Sequence, residues 1–189
     1  AQSAGTVAPA ALAGKLKQGG YNIYVRHAAT DWSQNDKIGG KQDVTSCDGA
    51  KVRQLSDKGR EAARRTGALL KALGIRFGKV FSSPYCRCVE TARLISGKEP
   101  QTTDDLMNLR SANFAGGRDA VVERTRLRLS QASGDGVNGL YSAHGNLGKA
   151  ATGEYLAEGE LLVVSPRGGG KFGIEGRLKL ADLAKLVAQ

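Results

Sequence analysis

The chain has 189 residues, of which 40% are hydrophobic and 24% charged, and its net charge is +10. These values are ordinary for a globular protein, and the length suits a single domain over residues 1–189. No apolar run approaches the roughly 18 residues that a membrane span needs. The positive charge favours anionic partners such as phosphorylated molecules. With 5% aromatic residues the chain lacks the stacking platform of single-strand nucleic-acid binders, so we expect no nucleic-acid partner.

The first residues, AQSAGTVAPAALAG, contain neither the basic n-region nor the apolar h-region of a signal peptide. Their small side chains are typical of the start of an exported protein after cleavage. We therefore expect a periplasmic or secreted mature form, with a cytoplasmic protein as the alternative. Residues 1–20 form an N-terminal segment, in which a short helix at 8–18 ends before two glycines.

Beyond this segment, short runs typical of strands alternate with amphipathic runs typical of helices. In chain order we predict a strand at 21–26, a helix at 55–74, a strand at 79–83, helices at 84–97 and 119–132, a strand at 139–144, a helix at 146–157, strands at 160–165 and 171–178, and a helix at 181–188. Ser56 is the expected N-cap of the first long helix, and Ser83 that of the next, with Pro84 at its first position. This order predicts an α/β fold, a three-layer αβα sandwich with a mainly parallel central sheet.

Two polar segments, residues 30–54 and 100–118, show no helical or strand periodicity. The first is a long surface excursion that carries Trp32 and Cys47. Loops of this length in a compact domain are usually functional. We expect substrate specificity to lie in these two segments.

Polar side chains follow three of the predicted strands. Arg26 and His27 come after the first strand, Arg87 lies shortly after the second, and His144 ends a later one. Open α/β sheets bind ligands beyond the carboxyl ends of their strands, so we expect these residues at one rim of the sheet. A single histidine at a strand end is more often a structural hydrogen-bonding group, but these are both histidines of the chain.

Two arginines and two histidines suit a phosphoryl group. Guanidinium groups match phosphate oxygens and stay charged, and an imidazole can attack phosphorus and hold the phosphoryl group covalently. The chain has no glycine-rich loop followed by Lys-Ser or Lys-Thr, which argues against a nucleoside triphosphate site.

The three cysteines are Cys47, Cys86 and Cys88. A structural zinc ion needs about four ligands, and neither histidine lies near these cysteines in the sequence, so no metal site is predicted. Cys47 can form one disulfide, with either Cys86 or Cys88, which leaves one thiol. Three reduced cysteines in a cytoplasmic protein are the alternative.

Four motifs, in this order, resemble those of the histidine phosphatase superfamily, in its phosphoglycerate mutase-like branch. RHAAT, starting at Arg26, resembles the Arg-His-Gly-x-Thr signature, and LSDKGREAA resembles the start of the following helix. SSPYCRCVETA resembles the segment with the phosphate-binding arginine, and SAHGN the strand with the second histidine. The resemblance covers roughly residues 21–165 and implies the fold predicted above.

The resemblance also implies roles for individual residues. His27 is the expected nucleophile that becomes phosphohistidine. Arg26, Arg87 and His144 are expected to bind the phosphoryl oxygens and stabilise transition-state charge. Thr30 is expected to line the same pocket. No metal and no other cofactor are implied, because the arginines already neutralise the phosphate.

The proton donor of the family is missing from its usual places. Asn108 stands where many relatives carry a glutamate, and Gly145 stands where the acid-phosphatase branch has an aspartate. An amide cannot act as a general acid. The remaining candidates are Asp105 and Glu158, and we favour Glu158, for which a surface carboxylate at a helix end is the alternative interpretation. Without a strong acid, substrates with good leaving groups are expected.

A subgroup of small exported members has a cysteine pair at the positions of Cys47 and Cys86. The resemblance therefore implies a disulfide that ties the long excursion to the second helix, with Cys88 in the core. The expected activity is metal-independent hydrolysis of phosphomonoesters, which releases inorganic phosphate. The expected substrate is a phosphorylated small molecule or a phosphorylated envelope component. A phosphoglycerate mutase-type phosphotransferase and a non-catalytic phosphate- or polyanion-binding module are the alternatives.

Overall fold

The computed structural model describes residues 7–189, and the first six residues of the proposed exported N-terminus lie outside this range. The described chain forms a six-stranded sheet with helices on both faces. The elements are α1 (Pro9–Gln18), β1 (Asn22–Arg26), α2 (Asp57–Ala72), β2 (Phe77–Ser82), α3 (Cys86–Ser96), β3 (Gln101–Thr102), α4 (Arg118–Leu129), β4 (Asn138–Ala143), α5 (Gly145–Thr152), β5 (Leu161–Pro166), β6 (Phe172–Leu178) and α6 (Leu180–Val187).

The sheet has the strand order β3-β2-β4-β1-β5-β6. The first four strands of this order pair in parallel, whereas β5 pairs antiparallel with both β1 and β6. Parallel neighbours need a crossover, which the helices supply, while β5 and β6 are joined by a short glycine-rich hairpin that permits only antiparallel pairing. The mainly parallel αβα architecture is confirmed, with an antiparallel edge.

Alternation along the strands divides the core between the two faces of the sheet. Ile23 and Val25 pack in one apolar cluster with side chains of α1, α2, α3 and α6. Tyr24 points to the opposite face and packs in a second cluster with side chains of α4 and α5. Successive strand residues point to opposite faces, so a single buried strand supports both layers. This buried strand leads directly to Arg26 and His27.

Two predicted helices have different bounds in the structure. Ser83 is not the N-cap of α3, which begins at Cys86 after Tyr85 and has no side-chain cap. The Ser83 hydroxyl is instead hydrogen-bonded to the buried side chain of His144. The helix predicted at 146–157 is shorter, because Gly153 adopts a left-handed conformation with φ of 85° and ends α5 at Thr152. Ser56 does cap α2, by accepting a hydrogen bond from the Gly59 amide.

The two aperiodic segments remain largely irregular. Residues 30–54 contain one short 3₁₀ turn, Lys41–Asp43, and the second segment contains two 3₁₀ stretches together with β3, which was not predicted. β3 has only two residues, too few for a period to show in the sequence. None of the helices within residues 7–189 has the length and apolar character that a bilayer crossing requires.

Candidate active site

The two histidines lie at the ends of neighbouring parallel strands. Arg26, the last residue of β1, is in register with Ala143, the last residue of β4. The pairing continues for one more step, since the His27 amide donates a hydrogen bond of 2.9 Å to the Ala143 carbonyl. The imidazole rings of His27 and His144 are consequently 5.8 Å apart between centroids, and both are buried. The structure thus brings the two histidines to one rim of the sheet.

The His27 ring is held in one orientation by its own chain. Its Nδ1 lies 3.0 Å from the carbonyl oxygen of Ala28. A carbonyl can only accept, so Nδ1 carries the proton and Nε2 keeps its lone pair. Burial, reinforced by the charge of Arg87, lowers the pKa of His27 to about 3. The imidazole is therefore neutral at physiological pH, with Nε2 available as a nucleophile.

The chain that follows His27 is fastened to two helices. Thr91 in α3 accepts a hydrogen bond from the Ala28 amide and donates one to the carbonyl of Arg87, so the same side chain links the loop and the helix. The first turn of α2 lies against Ala29, and a Cβ on Gly59 would come within 2.0 Å of the Ala29 carbonyl oxygen. These contacts explain why the sequence has glycine and threonine at these places in the motifs.

His144 is held in the opposite tautomer by Asn108. The Asn108 side-chain oxygen accepts hydrogen bonds from the Arg110 amide and from Asn146, so its Nδ2 faces Nδ1 of His144, at 3.1 Å. Nδ1 must then be the acceptor, and Nε2 carries the proton and lies 2.8 Å from the Ser83 hydroxyl. Burial and the nearby arginines lower the pKa of His144 well below its ordinary value. Asn108, in the place of the missing glutamate, thus orients a neutral donor.

Three arginines near the histidines have unused hydrogen-bond donors. The Nε–H groups of Arg26, Arg53 and Arg87 are buried and have no partner among the described residues, where the only other such atom is a side-chain oxygen of Asn22. A buried donor without a partner costs roughly 1–3 kcal/mol. All three arginines line one cavity of about 170 Å³ together with His27 and His144. The arrangement suits a small anion with several acceptor oxygens.

Asp36 supplies the one carboxylate among the residues described around this cavity. Its two oxygens accept hydrogen bonds of 2.8 and 3.0 Å from the terminal nitrogens of Arg87, which is fully buried. Burial opposes ionisation of Asp36, but the bonds to Arg87 outweigh it and lower the pKa of the carboxyl group. Asp36 is therefore ionised at neutral pH and cannot serve as a proton donor there.

Comparison with known proteins identifies the family. A family model described as the histidine phosphatase superfamily (branch 1) matches residues 23–140. The chain belongs to this superfamily. The matched range contains His27 and Arg87 together with the motifs around them, while His144 lies just beyond its end.

The individual relatives resemble this chain at low sequence identity or over only part of its length. A 2,3-bisphosphoglycerate-dependent phosphoglycerate mutase of Actinobacillus succinogenes is 30% identical over 79 residues, which are 42% of this chain and 31% of the mutase. The chain thus matches about a third of the length of that enzyme. The structure of the protein histidine phosphatase SixA complexed with tungstate aligns with a TM-score of 0.61 at 15% identity, covering 86% of this chain and 99% of SixA. A phosphoserine phosphatase mutant from Entamoeba histolytica, in complex with phosphoserine, aligns with a TM-score of 0.55 at 16% identity, covering 86% and 98%. These structural matches show the fold.

Glu158 is the residue that we favoured as proton donor from the sequence. It lies on the Nδ1 side of the His27 ring, away from Nε2. Its Oε2 accepts hydrogen bonds from the amide and the hydroxyl of Thr30, at 3.0 and 2.8 Å, and is 3.8 Å from Nδ1 of His27. Both Glu158 and Thr30 are absent from the lining of the arginine cavity, and Glu158 lines a separate, apolar cavity of about 270 Å³. In this structure Thr30 contacts Glu158, and its place in the phosphate pocket stays a prediction. The position of Glu158 suits orientation of His27 and does not suit proton donation beside Nε2.

Asp105, the other candidate acid, is also outside the cavity. Its carboxylate forms ion pairs of 2.7 Å with both Arg124 and Arg128. Burial is outweighed by these bonds, so the pKa of Asp105 is lowered. This carboxylate connects the 3₁₀ turn after β3 to α4, which is a structural role.

The cysteines are arranged as the family resemblance implies. Cys47 and Cys86 form a disulfide, with Cα atoms 5.4 Å apart, and Cys88 is free and buried. The bridge joins residues 30–54 to the first residue of α3, next to Arg87. Burial raises the pKa of the Cys88 thiol to about 12, so it is not a nucleophile. Within residues 7–189, histidines, cysteines and carboxylates form no cluster of three that could hold a metal ion.

Several residues around the cavity were not predicted from the sequence. They are Trp32, Asp36 and Arg53 from the first aperiodic segment, Arg110 and Asn146 near the Asn108 network, and Tyr155 after α5. Asp36 is placed by its ion pair with the distant Arg87, and the disulfide ties the segment that carries Trp32, Asp36 and Arg53 to α3. No helical or strand periodicity in the sequence marks these residues. Only the length of the 30–54 segment indicated that this segment has a function.

Proposed function

We propose that this protein is a phosphatase that hydrolyses phosphomonoesters through a phosphohistidine on His27. The observation that carries the proposal is the free Nε2 of His27 in a cavity that Arg26, Arg53 and Arg87 also line. Guanidinium groups match phosphate oxygens in geometry and charge. The same groups neutralise the substrate, so the proposed reaction uses no metal and no other cofactor.

In the first step, the lone pair of Nε2 attacks phosphorus and forms the P–N bond, while the P–O bond to the leaving group breaks and its electron pair stays on the leaving oxygen. The phosphoryl oxygens are held by Arg26, Arg53 and Arg87, and the neutral imidazole of His144 lines the same cavity with its Nε2–H toward the Ser83 hydroxyl. In the second step, water attacks phosphorus, the P–N bond breaks, and its electron pair returns to Nε2. Inorganic phosphate leaves, and the proton released by the water neutralises the leaving oxygen through solvent.

The site favours leaving groups that depart as stable anions. Asp36, the carboxylate among the described lining residues, is ionised and engaged by Arg87. A leaving oxygen therefore receives no proton from a strong acid in the cavity, and esters of acidic alcohols, phenols and carboxylic acids should react fastest. The physiological substrate is proposed to be a phosphorylated small molecule or a phosphorylated envelope component.

The test is hydrolysis of p-nitrophenyl phosphate by the wild-type protein and by His27→Asn, with circular dichroism to show that the variant folds. We expect phosphate release by the wild type and a loss of at least a thousandfold in kcat/KM in the variant, because the covalent step is lost. Rapid quenching with labelled substrate should trap acid-labile phosphate on the wild type only. Equal rates in the two proteins would overturn the proposal.

The two alternatives give different results in the same system. A mutase, favoured by the partial match to a phosphoglycerate mutase, would move the phosphoryl group between positions of a sugar acid rather than to water. A polyanion-binding module, favoured by the charge of +10, would bind nucleic acid with a steep salt dependence that His27→Asn leaves unchanged.

We also propose that the protein works in an oxidising compartment, as a periplasmic or secreted protein. The Cys47–Cys86 bridge supports this location, since disulfides persist mainly outside the cytosol.

A further inference from the structure

The most exposed large apolar side chains in the described chain are two aromatic rings beside the phosphate cavity. Trp32 is 63% exposed and Tyr155 is 58% exposed, and both line the cavity with His27. The other two strongly exposed large apolar residues, Leu127 and Val187, are aliphatic and lie on α4 and α6, outside the cavity lining. Exposed aromatic surface beside a polar cavity is typical of a binding site.

Both rings are held in place by residues of the site. The Trp32 indole donates a hydrogen bond of 3.2 Å to Glu158, and the guanidinium of Arg53 lies 4.0 Å from the centre of the ring. The arginine covers one face of the indole, and the high exposure of the side chain shows that much of the rest is open. The Tyr155 ring is 5.4 Å from the guanidinium of Arg26, which also donates to its hydroxyl at 3.4 Å. These contacts orient both rings beside the cavity.

The cavity itself is too small for a whole substrate. Its volume of about 170 Å³ is below the roughly 300 Å³ at which pockets for drug-sized ligands begin. When the phosphoryl group lies against the arginines, the leaving group must extend past the rim, where Trp32 and Tyr155 stand.

We propose that this rim selects substrates whose leaving group carries a planar aromatic ring, which stacks on the open face of Trp32 with Tyr155 as a neighbouring wall. This inference rests on the proposed phosphatase function. A cationic group is disfavoured there, because Arg26, Arg53, Arg87 and Arg110 surround the cavity. A neutral or anionic aromatic ring gains stacking energy from the rigid indole without meeting this charge.

The test uses acyl phosphates, because their leaving carboxylates have similar acidity and need no acid catalyst. Benzoyl phosphate carries an aromatic ring, cyclohexanecarbonyl phosphate carries a saturated ring of the same size, and acetyl phosphate carries none. We expect kcat/KM for benzoyl phosphate to exceed that for cyclohexanecarbonyl phosphate by about fivefold. The difference should lie in KM, because stacking changes substrate binding. Hydrolysis of acetyl phosphate measures kcat/KM for a substrate whose leaving group has no ring.

Variants of the rim separate stacking from other effects. Trp32→Phe keeps a ring but loses the indole hydrogen bond to Glu158, whereas Trp32→Ala loses both. We expect the benzoyl-to-acetyl ratio of kcat/KM to fall about fivefold in Trp32→Ala, relative to Trp32→Phe. Leu127→Ala changes an exposed residue remote from the cavity and serves as the control. It should leave kcat/KM for benzoyl phosphate and for acetyl phosphate unchanged. A ratio that is the same in all variants would overturn the inference while the proposed function stands.

A binding measurement distinguishes failure of the inference from failure of the proposed function. Trp32 is the only tryptophan of the chain, so its fluorescence reports on this ring alone. We expect benzylphosphonate, which cannot be hydrolysed, to change the emission and to bind about fivefold more tightly than ethylphosphonate. If no acyl phosphate is hydrolysed, the phosphatase proposal fails, and this titration still decides whether the rim prefers an aromatic ring. Equal affinities for the two phosphonates would show that it does not.

Discussion

The carboxylate of Asp36 occupies both terminal nitrogens of Arg87, through hydrogen bonds of 2.8 and 3.0 Å. Arg87 is buried, so these bonds stabilise a charge that water does not reach. They also engage the nitrogens through which a guanidinium usually holds a phosphate. In the structure, the 30–54 segment therefore places an anion at the candidate phosphate site, and substrate must compete with it for Arg87.

Asp36→Ala should destabilise the protein by about 3 kcal/mol in phosphate-free buffer, because a buried arginine loses its partner. Added phosphate should recover much of this loss, since it can replace the carboxylate at Arg87 and binds only the folded state. The measurement is thermal unfolding of wild type and variant over a series of phosphate concentrations. Asp48→Ala, an exposed aspartate in the same segment, is the control and should show a small loss that phosphate does not recover. If the stability difference between wild type and Asp36→Ala stays constant as phosphate is added, competition between Asp36 and phosphate at Arg87 is contradicted.

Glu158→Gln distinguishes orientation of His27 from proton donation. The carboxylate contacts Thr30 and the Nδ1 side of His27, so its loss should lower kcat by a similar factor, roughly tenfold, for all phosphate esters. A general acid would instead matter most for poor leaving groups. The measurement is kcat for aryl and alkyl phosphates that span a range of leaving-group acidity. A loss that grows steadily as the leaving group becomes more basic would restore Glu158 as the acid.

The two buried histidines should make folding stability depend on pH. Burial lowers the pKa of His27 from 6.5 to about 3 and that of His144 in the same direction, so the unfolded chain binds protons that the folded chain does not. Their contribution is fully present above pH 6.5 and is lost as the pH falls below it. The free energy of unfolding should fall by about 1.4 kcal/mol per pH unit for each histidine in this range. Denaturant titrations in phosphate-free buffer test this, and His27→Gln should remove one histidine's share of the slope.

Reduction of the Cys47–Cys86 disulfide should lower both stability and activity. The bridge closes a loop with a sequence separation of 39 residues, for which chain entropy gives about 4 kcal/mol. The segment it anchors carries Asp36, Arg53 and Trp32, so kcat/KM should also fall. Unfolding and kinetics with and without reductant test this, and the Cys47→Ser, Cys86→Ser double variant is the control, which reductant should leave unchanged. If reductant has no effect on the wild type, the bridge is absent or does not constrain the chain.

The sequence sufficed for the parts of the site that belong to the sheet. Arg26, His27 and His144 follow buried strands whose apolar runs are easy to detect, and parallel strands bring their carboxyl ends together. Arg87 could be added because it lies in the first turn of the helix after β2. These positions follow from local periodicity combined with one rule of topology.

Elsewhere, long-range contacts overrode local signals. Ser83-Pro84 is a strong helix-start pattern, but the Ser83 hydroxyl is hydrogen-bonded to His144 and the helix begins later. The amphipathic pattern after His144 continues through Tyr155, but Gly153 adopts a left-handed conformation and ends the helix, which places the tyrosine at the rim. Asp36 was missed because its partner lies 51 residues away.

The distance between the two imidazoles follows from the spacing of adjacent strands, since each ring belongs to the residue that directly follows the last registered pair of the same parallel ladder. The loops at 30–54 and 100–118 are not part of this ladder. Insertions or replacements in those loops can therefore alter which molecules reach the nucleophile while its distance from the second imidazole stays fixed. New substrate preferences can arise in this scaffold while the pair of imidazoles is kept.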